Sequence, residues 1–244
     1  MAVMMAFASV KSFLLDLLFP VECLGCGLAG TYLCVGCFTG IPIEEAFTCP
    51  LCTKPSFEGA ACGDCRKKRG LDGLIAAASY DTALVRRLVV GCKYRFIKDF
   101  AEPMALLAVK RLAAHAFSVL YRKDTVLIPV PLSQKRLRQR GFNQAGEIAL
   151  RVGAACGLKA RTDILRRTYD THPQVEMESR EDRLKNIRGV FDVLDSSGLK
   201  GRAVVLVDDV ATSLATLTEC ARVLKKSGAG EVWGLVVARE HTNR

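Results

Sequence analysis

Ala203-Val-Val-Leu-Val-Asp-Asp-Val-Ala-Thr-Ser-Leu-Ala-Thr216 is the stretch that decides the fold. Its opening residues, Ala203 to Val207, are apolar, rich in β-branched Val and flanked by polar turns. That is the pattern of a strand buried on both faces of a parallel sheet. The strand is expected to end on two adjacent carboxylates, Asp208 and Asp209. A Thr/Ser-rich turn follows, then helical spacing through Leu217, Cys220, Ala221 and Leu224. Unpaired N–H groups at a helix start suit a phosphate, and Thr212, Ser213 and Thr216 can add hydroxyl donors. The two acids suit another task, accepting hydrogen bonds from sugar hydroxyls or standing near a divalent metal. Ligands of open α/β sheets bind at the carboxyl ends of strands, where this turn lies.

Working outward, Leu74–Tyr80, Thr125–Leu132, Val190–Leu194 and Glu231–Ala238 also read as strands. Helical periodicity runs over Thr82–Phe96 and Asp99–Phe117. Strands alternating with helices predict an α/β fold, a mostly parallel sheet flanked by helices. The prolines of Thr125-Val-Leu-Ile-Pro-Val-Pro-Leu132 force an extended exit. Four basic residues then fall within positions 135–140, and helical spacing resumes at Ala145, Ile148, Ala149 and Val152. Arg136, Arg138 and Arg140 are expected on an extended turn beside a helix start, where guanidinium forks suit pyrophosphate oxygens. Lys93, Tyr94 and Lys98 read as a polar helix face rather than as ligand groups.

The front of the chain is different in kind. Residues 1–20 are apolar at helical spacing, with Lys11 and Asp16 interrupting them, and read as an amphipathic helix. The run is too broken for a transmembrane span and lacks the basic start of a secretory signal, so a cytoplasmic protein is expected. Residues 21–66 hold four Cys-x-x-Cys pairs: Cys23/Cys26, Cys34/Cys37, Cys49/Cys52 and Cys62/Cys65. A two-residue gap lets two thiolates grip one metal, and two such knuckles complete a tetrahedron around Zn²⁺. Sequential pairing gives two structural zinc sites; the spacing leaves interleaved pairing open. Four-thiolate sites would each carry −2, taking the formal charge of +10 to +6. The chain stays basic, which favours a phosphorylated or polyanionic ligand. Arg66-Lys-Lys-Arg-Gly70 is a short basic hinge before the main domain, residues 71–241.

Val-Leu-Val-Asp-Asp-Val-Ala-Thr-Ser-Leu-Ala-Thr resembles the phosphoribosyl pyrophosphate (PRPP) motif of type I phosphoribosyltransferases. The resemblance implies a phosphoribosyltransferase-like fold that binds PRPP, or a related nucleotide, with Mg²⁺. It implies Asp208 and Asp209 on the ribose hydroxyls and Thr212, Ser213, Leu214, Ala215 and Thr216 around the 5′-phosphate. Arg136, Arg138 and Arg140 stand where the pyrophosphate loop belongs. Leu214 replaces the loop's usual Gly, and a left-handed non-Gly residue costs on the order of 1–2 kcal/mol; its side chain is expected to crowd the phosphate. Pro129-Val-Pro-Leu, Arg140-Gly-Phe-Asn-Gln144, Gln174 with Ser179-Arg180, Arg183, Asn186 and Phe191 are similar to the ComF family. That family carries a Cys-knuckle front end resembling a double zinc ribbon. It implies a role in DNA uptake and competence, with single-stranded DNA and other competence proteins as partners. One reading is an enzyme that transfers a phosphoribosyl group; the other keeps the fold only to bind single-stranded DNA.

Overall fold

The computed structural model describes residues 21–94, 97–122, 124–169 and 187–240. The helix expected over 1–20 lies outside the described residues, as do Gln174, Ser179, Arg180, Arg183 and Asn186. The chain divides into two compact units, Met1–Pro42 and Ile43–Arg244. In the first, a knuckle closed by a bridge between Glu22 and Ala29 leads into helix α1, Val35–Thr39, with Cys34 as its N-cap.

The second unit opens with a like module. A bridge between Thr48 and Pro55 closes its knuckle, and helix α2, Gly63–Arg69, follows Cys62. Strand β1 is Gly73–Ser79, and helices α3 (Ala83–Tyr94) and α4 (Ala101–Ala114) carry the chain to β2, Val126–Pro129. Helices α5 (Gln134–Arg140) and α6 (Gln144–Cys156) precede β3, Lys159–Ala160. After β4 (Leu165–Arg167) and β5 (Phe191–Val193) come β6 (Ala203–Ala211), α7 (Ala215–Lys226) and β7 (Glu231–Arg239).

Five strands form one parallel sheet in the order β1-β7-β6-β2-β3. Strand alternation sends Val204 and Leu206 to one face, where Leu217, Cys220 and Leu224 of α7 bury them. Helices α4 and α6 pack on the opposite face. Strands β2 and β6 are neighbours, yet the chain leaves them in opposite directions, to β3 and to β7. Such a reversal opens a crevice at the strands' carboxyl ends.

Strand β1 is a sheet edge, and the second cysteine module covers it. Leu74 N donates to Gly59 O at 3.0 Å, Ala61 N to Asp72 O at 2.7 Å, and Glu44 N to Ala77 O at 2.9 Å. Pairing an edge in this way removes a template for aggregation. Only Gly fits at 59: φ is +83°, and a Cβ would stand 2.4 Å from Leu74 O. Cys49, Leu51 and Ala61 join Leu71, Leu74 and Ala76 in the buried core, so the module also covers one sheet face.

Three expectations need correction. Strand β6 runs past both carboxylates, because β7 continues beside it as far as the Ala211–Arg239 pair. The basic run is helix α5 and not an extended turn: Ser133 Oγ accepts from Arg136 N at 3.3 Å, and Gly141 ends the helix in the left-handed region. Gln, Lys, Arg and Leu are good helix formers, so seven of them between a cap and a stop suffice with tertiary packing. Phe191–Val193 pairs antiparallel with Leu165–Arg167 in a separate ribbon, outside the main sheet. Leu165 and Phe191 are buried there while Arg166 and Asp192 are exposed and paired at 3.3 Å, the alternation of a half-solvated hairpin. Among the described residues no helix is long and apolar enough to cross a membrane.

Asp72, only 3 % exposed, joins the layers. Its carboxylate accepts from Val232 N at 2.7 Å and pairs with Lys225 Nζ at 2.7 Å and Arg66 Nε at 3.5 Å. Asp72→Ala leaves a buried N–H unpaired and two cations unmatched. It should lower unfolding stability in urea by roughly 2–3 kcal/mol. A loss under about 0.5 kcal/mol, the scale of an ordinary surface change, would contradict this role.

Candidate active site and metal centres

The crevice between β2 and β6 is built by short, specific backbone devices. Gly141 adopts φ +77° and turns the chain out of α5. Asn143 then caps α6, its Oδ1 accepting from Ala145 N at 3.2 Å while its Nδ2 donates to Val130 O at 3.1 Å. The first contact starts α6, and the second ties it to the residue just after β2. They place Gln144, 3 % exposed, so that Nε2 donates to Asp209 Oδ2 at 3.0 Å. From the last turn of α3, Lys93 Nζ reaches Asp209 Oδ1 at 2.9 Å.

The two aspartates therefore differ. Successive strand residues point to opposite faces. Asp209 faces α6, is 2 % exposed, and is held from both sides. Asp208 faces the α7 side, is half-buried, and accepts one hydrogen bond, from Asp209 N at 2.8 Å. Burial, and then the neighbouring Asp209 carboxylate, push the Asp208 pKa up to about 7. Burial alone would lower the Lys93 pKa, but the two carboxylates outweigh it and keep the ammonium charged.

Arg140 is half-buried close enough to Asp209 to feel its charge, which opposes the lowering of its pKa by burial. Arg136 lies one helical turn behind it, on the same side of α5. Arg138 is exposed and about 200° around the helix from Arg136. The structure thus brings Arg140 to Asp209 with Arg136 behind it, and leaves Arg138 facing solvent. Arg140 Nη1 and Gln144 Oε1 are buried without a hydrogen-bond partner among the described residues. Unmet buried polar atoms beside a crevice mark a place for a polar ligand.

On the loop after β6, Thr212 is exposed and Ser213 Oγ accepts from Ala215 N at 3.4 Å. Ala215 is buried, and Thr216 is half-buried in the first turn of α7. Leu214 takes the left-handed conformation, φ 61° and ψ 6°. Its side chain does not crowd the loop as expected: it is 5 % exposed and packs in the core with Ala211 and Leu217. Leu214 O accepts from Thr218 N and from Thr218 Oγ1, each at 2.9 Å.

Lys93 is the residue that sequence reasoning misplaced. It is no solvated face residue but an ion-pair partner of a buried carboxylate. Val85 and Val89, eight and four residues before it, are buried, so the helical period already put Lys93 on the inward face.

The eight cysteines form two tetrads, Cys23/Cys26/Cys34/Cys37 and Cys49/Cys52/Cys62/Cys65, with sulfurs within 4.8 Å of one another in each. Sequential pairing is therefore the arrangement adopted. The modules repeat one design: Cys34 N donates to Cys23 Sγ at 3.3 Å, and Cys62 N to Cys49 Sγ at 3.4 Å. The Cys34 amide, helped by that of Cys26, draws the Cys23 pKa down to about 6. Burial opposes the same effect at Cys49, yet the Cys62, Leu51 and Cys52 amides still bring it to about 6. Four sulfur donors with N–H support fit a tetrahedral Zn²⁺ in each module, leaving no ligand position open for catalysis.

A profile of the double zinc ribbon domain matches residues 14–66, and one of the phosphoribosyl transferase domain matches residues 100–244. Competence protein F of Haemophilus influenzae is 28% identical over 232 residues, covering 90% of this chain and 98% of that protein. DNA utilization protein YhgH of Escherichia coli O157:H7 is 30% identical over 192 residues, covering 77% of this chain and 82% of that protein. A solved glutamine PRPP amidotransferase from B. subtilis, complexed with ADP and GMP, is 17% identical with a TM-score of 0.38; the match covers 57% of this chain and 26% of that one.

Two results should follow. Elemental analysis should find about two zinc ions per chain, and chelation should unfold the modules they hold; a single ion would mean that one tetrad is not a zinc site. Leu214→Gly should relieve about 1–2 kcal/mol of backbone strain but lose about 2–4 kcal/mol of buried packing. Net destabilisation of roughly 1–2 kcal/mol in urea is expected; stabilisation would show that packing does not hold the loop.

Proposed function

The chain belongs to the phosphoribosyl transferase domain family, in the ComF-like group that joins this domain to a double zinc ribbon, and from this we propose that it binds PRPP or a related phosphoribosyl ligand with Mg²⁺ in the β2–β6 crevice. The observation that carries the reading is the division of labour in the acidic pair. Asp209 is consumed by Lys93 and Gln144, which leaves Asp208 with no salt bridge among the described residues. A half-buried carboxylate of that kind suits ribose hydroxyls, and would also suit a hydrated Mg²⁺. When bound, the ion would supply charge neutralisation on the pyrophosphate.

The protein's own residues would do the rest by position and field. Arg140, with an unmet buried N–H, and Arg136 behind it would stabilise departing pyrophosphate. The start of α7 and the Thr212–Thr216 loop would hold the 5′-phosphate. Catalysis of that kind needs no general base on the donor side. The names of the relatives, a competence protein and a DNA utilization protein, support a role for this activity in DNA uptake or use. Thiols gathered for metal rather than paired as disulfides suit a reducing compartment, and the cytoplasm is the compartment this reading implies.

A second reading, a fold that binds single-stranded DNA without transfer chemistry, is favoured by one feature. Lys135 and Arg138 on the outer side of α5 are exposed and have no carboxylate partner among the described residues. Calorimetric titration with PRPP separates the two. Wild type should bind PRPP, more tightly with Mg²⁺ than without. Asp208→Asn should weaken it roughly 10- to 100-fold, the loss of a hydrogen bond to a charged group. No heat with or without Mg²⁺ would leave the DNA-binding reading in its place.

A further inference from the structure

Away from the crevice, a groove of about 670 Å³ runs along one face of α7, with the last turn of α2 as its other wall. Ala215, Thr218, Glu219 and Arg222 recur along α7 at helical spacing and form its floor. Lys67, Lys68 and Arg69 come from α2, Arg188 from the segment before β5, and Lys225 and Lys226 from the end of α7. Some of this charge is already spent. Arg222 pairs with Glu219 at 2.6 Å, Glu219 also accepts from Gly189 N at 2.7 Å, and Lys225 pairs with Asp72 at 2.7 Å.

Five cations remain: Lys67, Lys68, Arg69, Arg188 and Lys226 form no salt bridge with a carboxylate among the described residues. Lysines and arginines in a helix's last turn are stabilised by the helix dipole, which accounts for those on α2 and α7 one at a time. It does not account for the convergence of three chain segments on one groove; Arg188, which lies on neither helix, is also drawn by the Glu219 carboxylate. Like charges gathered so closely repel, and an anionic ligand relieves that repulsion.

We propose that this groove binds a linear chain of phosphates, either a nucleic-acid backbone or inorganic polyphosphate. The form of the site selects a chain over a single phosphate. From Ala215 to Lys226 the groove follows α7 for about 16 Å, and its cations come from three separate segments, the last turn of α2, Arg188 and the end of α7. Among the described residues its lining contains no aromatic on which a base could stack, so it reads charge and not sequence. The α2 wall is set by Cys62 and Cys65, which makes the second metal module part of the surface. The groove would hold this ligand whether or not the β2–β6 crevice binds PRPP.

Fluorescence anisotropy on the full chain with a labelled oligothymidylate, over a salt series, tests the site. Lys67→Ala/Lys68→Ala/Lys226→Ala should flatten the log–log salt slope by about 2, at roughly 0.7 for each phosphate that is no longer neutralised. The corresponding triple Lys→Arg variant should keep the wild-type slope, and Lys54→Ala/Lys159→Ala, exposed and outside the groove, should leave it unchanged. Inorganic polyphosphate should compete with the oligonucleotide if phosphates alone are read, whereas an oligonucleotide-only result assigns the groove to nucleic acid. An uncharged methylphosphonate strand should not bind. Each Ala variant must retain two zinc ions and titrate PRPP as wild type does, so a failure of the crevice appears in that titration alone. An unchanged slope in the Lys→Ala variant, full binding of the uncharged strand, or binding of neither phosphate chain would overturn the proposal.

Discussion

A buried carboxylate must be matched, and Asp209 is where this structure meets that demand. Taking one charge out of water costs several kcal/mol unless a partner and hydrogen bonds compensate it. Lys93 supplies the charge from α3 and Gln144 the hydrogen bond from α6, each about 3 Å from a different oxygen. One carboxylate thereby fixes the ends of two helices against the centre of the sheet. It also explains why Gly141 and Asn143 adopt their conformations, since together they aim Gln144 at that oxygen. With Asp209 committed, Asp208 is the half-buried acid of the pair that forms no salt bridge among the described residues.

The two cysteine modules share local chemistry and differ in context. Each places an amide on the first sulfur and begins a helix at the third cysteine. The second module also pairs along the edge of β1 and puts Cys49, 0 % exposed, into the main core. An edge strand at a sheet's rim needs cover, and here a metal knuckle performs the task that a helix or a further strand performs elsewhere. Metal binding at Cys49, Cys52, Cys62 and Cys65 is on this account coupled to the stability of the α/β unit itself.

Much of the fold was legible because its signals are strong and local. Ala203–Val207 and Val232–Ala238 are apolar runs that can only be buried, and four Cys-x-x-Cys pairs allow few arrangements. The failures have physical causes. Strand β6 outlasts its apolar run because β7 supplies hydrogen bonds beside the aspartates, and only pairing could reveal that. The basic run was read for charge, while its helix is set by Ser133 and Gly141 at its ends. Phe191–Val193 looks like any short strand until Leu165–Arg167, too short to signal itself, is seen to pair with it. In the site, the acids and Arg140 were visible in sequence, but the partners of Asp209 come from helices 50 or more residues away in the chain.

Leu214 shows how a departure at the level of sequence can preserve geometry. The turn before α7 is left-handed, as a Gly there would make it, and the conformation costs about 1–2 kcal/mol for a residue with a Cβ. Burying a Leu side chain returns about 1.5–3 kcal/mol, so the core contact with Ala211 and Leu217 is large enough to hold the turn. The effect is more than compensation. A Gly reaches this region because nothing forbids it, and it also reaches others. Leu214 is held there by its packing, and Thr218 binds its carbonyl twice. The start of α7 is accordingly fixed without any ligand, and the loop's shape is a property of the core beneath it.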